Sequence, residues 1–163
     1  MVKIIEIQPH TEEREEMFTF PIRVFLAGSI DMGNAEDWQR KAIQKFRAAA
    51  SGRFDIDGEL VIYNPRRNSG EGFTPDNKEE MEYQVNWELD NLNRADFIIM
   101  NLLPDSKSPI SLMELGLFAS SGKLVVACPP EFYRYDNVRV VCDRYNVPLF
   151  NDLETLLERF PNN

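Results

Sequence analysis

Of the carboxylates in this 163-residue chain, Glu114 stands apart, because it lies in SPISLMELGLFASSGK (108–123), where the other residues before Lys123 are apolar, small or hydroxyl-bearing. A carboxylate in such company loses solvation, which raises its pKa unless donors compensate and makes it a candidate for chemistry. Two frames compete for it. Ser111-Leu-Met-Glu114 matches a capping box, in which the glutamate only reaches back to the cap's backbone N–H. Ser108-Pro109 matches an N-cap followed by proline at the first helical position, which leaves Glu114 in the second turn beside Ile110, Leu117 and Phe118. In that second frame the helix is apolar nearly all round, as buried helices are, and an acid within it is costly unless paired or functional.

Asp90 is the second acid to weigh. It falls near the end of a predicted helix, where its charge meets the negative end of the macrodipole, and its ordinary alternative is an exposed residue. Asp96 reads as a turn or packing residue, and Glu82 and Glu88 read as a solvated face. His10 is the single histidine and sits in the N-terminal arm, so neither a histidine-based triad nor a metal site is expected. Cys128 and Cys142 form no metal-like spacing and read as reduced thiols. With no P-loop and no G-x-G-x-x-G, no cofactor is expected.

The elements that must position these groups alternate. IRVFLAG (22–28), ELVIYNP (59–65), ADFIIMNLL (95–103) and KLVVACPP (123–130) read as buried parallel strands, the third as the central one, with VPLF as a short addition. AEDWQRKAIQKFRAAA (35–50) reads as a helix with Trp38, Ala42, Ile43 and Phe46 on one face and Gly52 as its stop. Further helices are predicted from an Asp76 cap through NKEEMEYQVNWELDNLN, over ISLMELGLFASS, from Arg134 to Asn146, and over NDLETLLERF after Asn151 or Asp152. RRNSGEGFTP (66–75) reads as a mobile, turn-rich loop. Residues 1–20 read as an extension, with KIIEI a candidate edge strand and EERE a solvated run.

This alternation predicts an α/β fold: a doubly wound, about five-stranded parallel sheet with helices on both faces, forming one domain over 21–163. In such sheets ligands bind beyond the carboxyl ends of the strands, at the topological switch point, which singles out GSIDMGN, NPRR, NLLPDSKSP and CPPEFYRY. The net charge of −9 argues against a nucleic-acid polymer as partner. No apolar run approaches the roughly 18 residues of a membrane span. The start, MVKIIEIQPHTEEREE, lacks the basic and apolar regions of a signal peptide, so a cytoplasmic protein is expected.

The order FLAGSI, Trp38, Asn64-Pro65, Asp90, ADFIIMNLL and SPISLMELGLFASSGK resembles the nucleoside 2-deoxyribosyltransferase family and its hydrolytic relatives, the deoxynucleotide N-glycosidases, over roughly Ile22 to Phe150. The resemblance implies a flavodoxin-like fold and cleavage of an N-glycosidic bond through a covalent deoxyribosyl-enzyme. Glu114 falls at the position of the nucleophile, and Asp90, by spacing, at that of an upstream acid handling the proton of the base. Gly28, Ser29 and Ile30 match the substrate-cradling turn, and Ser108 a polar position near the sugar or its 5′ group. Asn64, at the end of the second strand, is counted with the substrate-binding positions. Trp38 either closes over the base or belongs to the core. Phe25 stands where the family often has a tyrosine that orients the nucleophile. Asp31 stands where the nucleotide-hydrolysing relatives carry an arginine, and would repel a 5′-phosphate, which favours nucleosides. Arg66 and Arg67 either restore phosphate affinity or are plain surface. Ser108 also replaces an aspartate common in the transferases. Sites of this family borrow residues from a neighbouring subunit, which implies a homo-oligomer. Three functions stay open: transfer of deoxyribose between nucleobases, hydrolysis of a nucleoside, modified nucleotide or NAD, and non-catalytic nucleotide binding.

Overall fold

β-branched and apolar runs too uniform to leave one face wet must be covered on both sides, and the strands of this chain are. In the computed structural model, which describes residues 2–11, 21–31, 34–50, 58–67 and 76–161, six parallel strands form one sheet. They are β1 (Lys3–Ile7), β2 (Ile22–Gly28), β3 (Glu59–Tyr63), β4 (Phe97–Asn101), β5 (Leu124–Ala127) and β6 (Leu149–Phe150), in the order β1-β3-β2-β4-β5-β6. The fold is flavodoxin-like, with KIIEI as the edge strand and β2 and β4 at the centre. The helices are α1 (Trp38–Ala49), α2 (Lys78–Arg94), α3 (Pro109–Phe118), α4 (Tyr135–Tyr145) and α5 (Leu153–Arg159). The EERE run, the Gly52 stop and the loop beyond Arg67 lie outside the described residues.

Alternate residues of each strand feed two separate cores. Phe25, Tyr63, Ile98 and Met100 meet Leu92 of α2, Leu115 of α3 and Val138 of α4. Leu26, Ile62 and Ile99 meet Trp38, Ile43 and Phe46 of α1 and Leu156 of α5. The chain therefore leaves β2 for one face and β4 for the other, although the two strands are neighbours with Gly28 opposite Asn101. That divergence opens the crevice at their carboxyl ends.

The start of α2 differs from expectation. Asn77, not Asp76, caps α2, its side chain accepting from the Glu80 N–H, because Asn77 is the residue in extended conformation just before the first turn. At the other end of α2, Lys123 from the start of β5 donates its ammonium to the carbonyls of Leu92, Asn93 and Ala95 at 2.6, 3.0 and 3.0 Å. A cation there satisfies carbonyls that the helix leaves open and opposes its dipole. Burial lowers the pKa of Lys123, with Asp96 acting against the shift. Replacing Lys123 by Met is expected to destabilise the fold by about 1–2 kcal/mol, lowering Tm by roughly 3–6 °C in a calorimetric scan.

Candidate active site

Pro109 decides between the two frames for Glu114. Its fixed φ suits the first helical position, and α3 starts there, with Ser108 as the preceding residue. Glu114 therefore lies in the second turn and is no part of a capping box. It is 5% exposed. The expectation of a helix apolar and buried all round is corrected in one respect: Ile110, Met113 and Leu117 are exposed on the outer face, while Ser111, Glu114, Leu115 and Phe118 turn inward. Ile110 and Leu117 are thus not what desolvates the acid.

A second carboxylate acts on Glu114 electrostatically. Burial, with the charge of Glu88 adding to it, pushes the pKa of Glu114 up to about 8. Glu88 of α2 is itself raised by burial, against the opposing pull of a hydrogen bond from Gln84 and the charge of Arg67. The reading of Glu88 as part of a solvated face is therefore corrected. Asp90 is two residues further on, about 200° round the helix, and is exposed. It is the charge of Glu88, not that of Asp90, that acts on Glu114.

Gln84 and Arg67 build the polar side of this pair. Gln84 donates to Glu88 at 2.7 Å and accepts from the Arg67 guanidinium at 2.8 Å. Arg67 is also paired to Glu80 at 2.8 Å. Arg66 turns the other way, donating to the carbonyls of Ala35 and Glu36 and to Gln39, so that it ties the entry of α1 to the end of β3. Neither arginine is plain surface, because each lies over partners from distant segments and is only about a tenth exposed. Asn64, buried between them and β1, donates to Glu6 at 2.9 Å and accepts from the Arg66 N–H.

The loop ends of β2 and β4 meet in a chain of hydroxyls. Gly28, at φ 133°, passes so close to Asn101 that a Cβ would run into its carbonyl oxygen. Only glycine fits, and Gly28→Ala is expected to destabilise by about 3 kcal/mol, read as a lowered urea midpoint. Ser29, buried at once after it, accepts from the Leu103 N–H at 2.9 Å and lies 2.6 Å from the Ser108 hydroxyl. Ser108 is 2.6 Å from Ser106, which donates to Asp31 at 2.8 Å. Asp31 sets the direction of the whole chain. Since the single proton of Ser106 goes to the carboxylate, Ser108 must donate to Ser106 and Ser29 to Ser108. Ser29 and Ser108 then have lone pairs left but no proton, and can only accept from a further group. Both Asp31 (φ 47°) and Ser108 (φ 46°) hold left-handed backbone to close this arrangement.

Trp38 is 1% exposed, and its indole N–H donates to the Ser29 carbonyl at 2.9 Å. It lies in the core on the face opposite Glu114 and props the Ser29 turn from below, presenting no free ring face to a base. Ile30 takes part only through its backbone, accepting from the Ala35 N–H. Phe25 is buried on the Glu114 side of the sheet, 6.1 Å from Trp87, and carries no hydroxyl to orient an acid. Among the described residues there is no cluster of three or more metal-ligating side chains, and no helix is long and apolar enough to cross a membrane.

Gln84 is the polar residue that the sequence reading passed over, and Glu88 was assigned to a solvated face. The signal was helical: Gln84 and Glu88 lie one turn apart and one turn before Leu92, the core residue of α2. A family model described as nucleoside 2-deoxyribosyltransferase like matches residues 21–132, which include the Ser29 turn, Glu88 and Glu114. No curated protein matches the chain.

Proposed function

The chain belongs to the nucleoside 2-deoxyribosyltransferase-like family, and on that premise we propose that it breaks the N-glycosidic bond of a 2-deoxynucleoside and passes the sugar to another nucleobase. The observation that carries this reading is the charge of half-buried Glu88 acting on buried Glu114. Burial raises both carboxyls, and the charge of Glu88 pushes Glu114 further, to about 8; in this reading the pair shares one proton near neutral pH. That is the protonation state the reaction needs. An oxygen of Glu114 forms a bond to C1′ while the C1′–N bond breaks. Its electron pair leaves with the base, which takes the proton of the pair through Glu88. The pair begins with one negative charge and ends with one, on Glu88, so the step moves no net charge into the buried site. In the second half an incoming base attacks C1′, the ester breaks, and the N–H proton of that base returns to Glu88. Glu88 thus takes the role that spacing alone gave to Asp90.

The hydroxyl chain supports the choice of an unphosphorylated sugar. Ser29 and Ser108 have only acceptor capacity left, and Asp31 ends the chain with a negative charge. A sugar hydroxyl can donate to them, whereas a 5′-phosphate needs donors and would meet repulsion. Gly28, Ile30, Phe25, Trp38 and Asn64 act in this reading as the frame of the subsite, not as contacts to the base. The homo-oligomer implied by the resemblance remains part of the proposal; the exposed Ile110, Met113 and Leu117 of α3 support it as an apolar surface beside the site.

Incubation with deoxyuridine, with and without free adenine, tests the reading. Deoxyadenosine as product is the expected result. Uracil with free deoxyribose would replace transfer by hydrolysis, and no product across a panel of 2-deoxynucleosides would end both readings in favour of a binding module.

A further inference from the structure

The acid Glu88 reaches the site with only one of its oxygens free. We propose, building on the function above, that Gln84 and Arg67 are positioning residues that hold Glu88 Oε1 as a permanent acceptor and leave Oε2 as the oxygen that exchanges the proton with Glu114 and the departing base. Guanidinium nitrogens only donate, so the 2.8 Å contact from Arg67 Nε fixes the amide of Gln84 with its oxygen toward Arg67. Its Nε2 must then point the other way. One N–H donates to Glu88 Oε1 at 2.7 Å and the other to the Pro65 carbonyl at 3.2 Å. Nε2 has no acceptor capacity, and a proton on Oε1 would weaken the bond that Oε1 accepts. The carboxyl group is therefore protonated preferentially on Oε2.

The hold is anchored well away from the pair. Arg67 Nη1 is paired to Glu80, whose carboxylate also meets His10 Nε2 at 3.2 Å. His10 stacks on Tyr83 with ring centroids 4.2 Å apart, and its backbone N–H donates to the Tyr83 hydroxyl. The N-terminal segment thus braces α2 on the side where Gln84 must keep its orientation. The charged groups acting on the pair come from three elements: Glu88 itself on α2, Glu114 on α3, and Arg67 after β3.

The test uses the full chain labelled with ¹³C at the glutamate side-chain carboxyl carbons, with Glu88→Gln to assign the Glu88 signal. In Gln84→Met the donor to Oε1 is gone. The Glu88 titration is expected to move up by about one pH unit, and turnover of deoxyuridine to fall about tenfold with KM within about twofold. Should the Met variant not fold, Gln84→Glu keeps an acceptor for Arg67 and is expected to move the Glu88 titration further upward. A folded variant whose Glu88 titration stays in place overturns the proposal, whatever its turnover. Because the NMR signal needs no substrate, a wild-type protein without turnover but with the displaced titration in Gln84→Met would retire the function and uphold the positioning role.

Discussion

Glu114→Gln is expected to lose turnover of deoxyuridine by about three orders of magnitude or more while becoming more stable than the wild type at alkaline pH. Both halves follow from one property. The amide keeps the shape of the side chain but cannot attack C1′, and it carries no charge to desolvate. In the wild type the folded-state pKa is about 8, against an ordinary value of 4.5. Between those values the folded state holds a proton that the unfolded chain releases. Stability is therefore full below about pH 4.5 and declines as pH rises towards 8, by at most roughly 5 kcal/mol. The glutamine variant lacks this decline. Urea unfolding at pH 5 and pH 9 measures it, and the two proteins should diverge only at the higher pH. A variant that turns over normally, or a wild type as stable at pH 9 as at pH 5, would be incompatible with a buried nucleophile.

Glu88→Gln is expected to cost about 10²- to 10³-fold in turnover, whereas Asp90→Asn should stay within about twofold of the wild type. The contrast is geometric. The charge of Glu88 acts on Glu114, and Asp90 is exposed, about 200° round α2 from Glu88. The loss in Glu88→Gln should shrink for a deoxyriboside whose leaving group departs without taking a proton, because only the acid function has been removed. The wild-type rate should also fall as pH rises through about 8, where the pair loses the proton that the base must receive. Steady-state rates of the three proteins from pH 5 to 9.5 decide the assignment. A damaged Asp90→Asn protein beside a normal Glu88→Gln protein would return the role to Asp90.

How much of this was legible depended on whether the signal was local. The parallel sheet was, because each strand is a short apolar run ended by turn formers, and one of two frames for α3 was, because proline suits the first helical position, although Ser108 makes no side-chain capping bond. Glu114 stood out for the same reason: its company is visible within sixteen residues. Glu88 did not, since α2 is sparsely apolar and Arg67, whose charge acts on it, comes from a distant segment. The arginines were misread for a related reason. Arg66 and Arg67 look like surface in NPRR, and only folding brings Ala35, Gln39, Glu80 and Gln84 around them. The hydroxyl chain was half legible. Ser29, Ser108 and Asp31 were all in view, but Ser108 reaches Asp31 through Ser106, and the two loops are 75 and more residues apart.

The strand at the start of the chain has a consequence beyond its five residues. β1 pairs along the whole length of β3, Lys3 opposite Glu59 through Ile7 opposite Tyr63. Without it, Leu60 to Tyr63 would present an unpaired row of N–H and C=O groups on an apolar strand, the kind of edge onto which a strand of another molecule can add. β1 replaces that edge with a more polar one of the same length, carrying Lys3 and Glu6. A segment that looks expendable beside the chemistry is thus what keeps neighbouring molecules from aggregating through the sheet at high concentration.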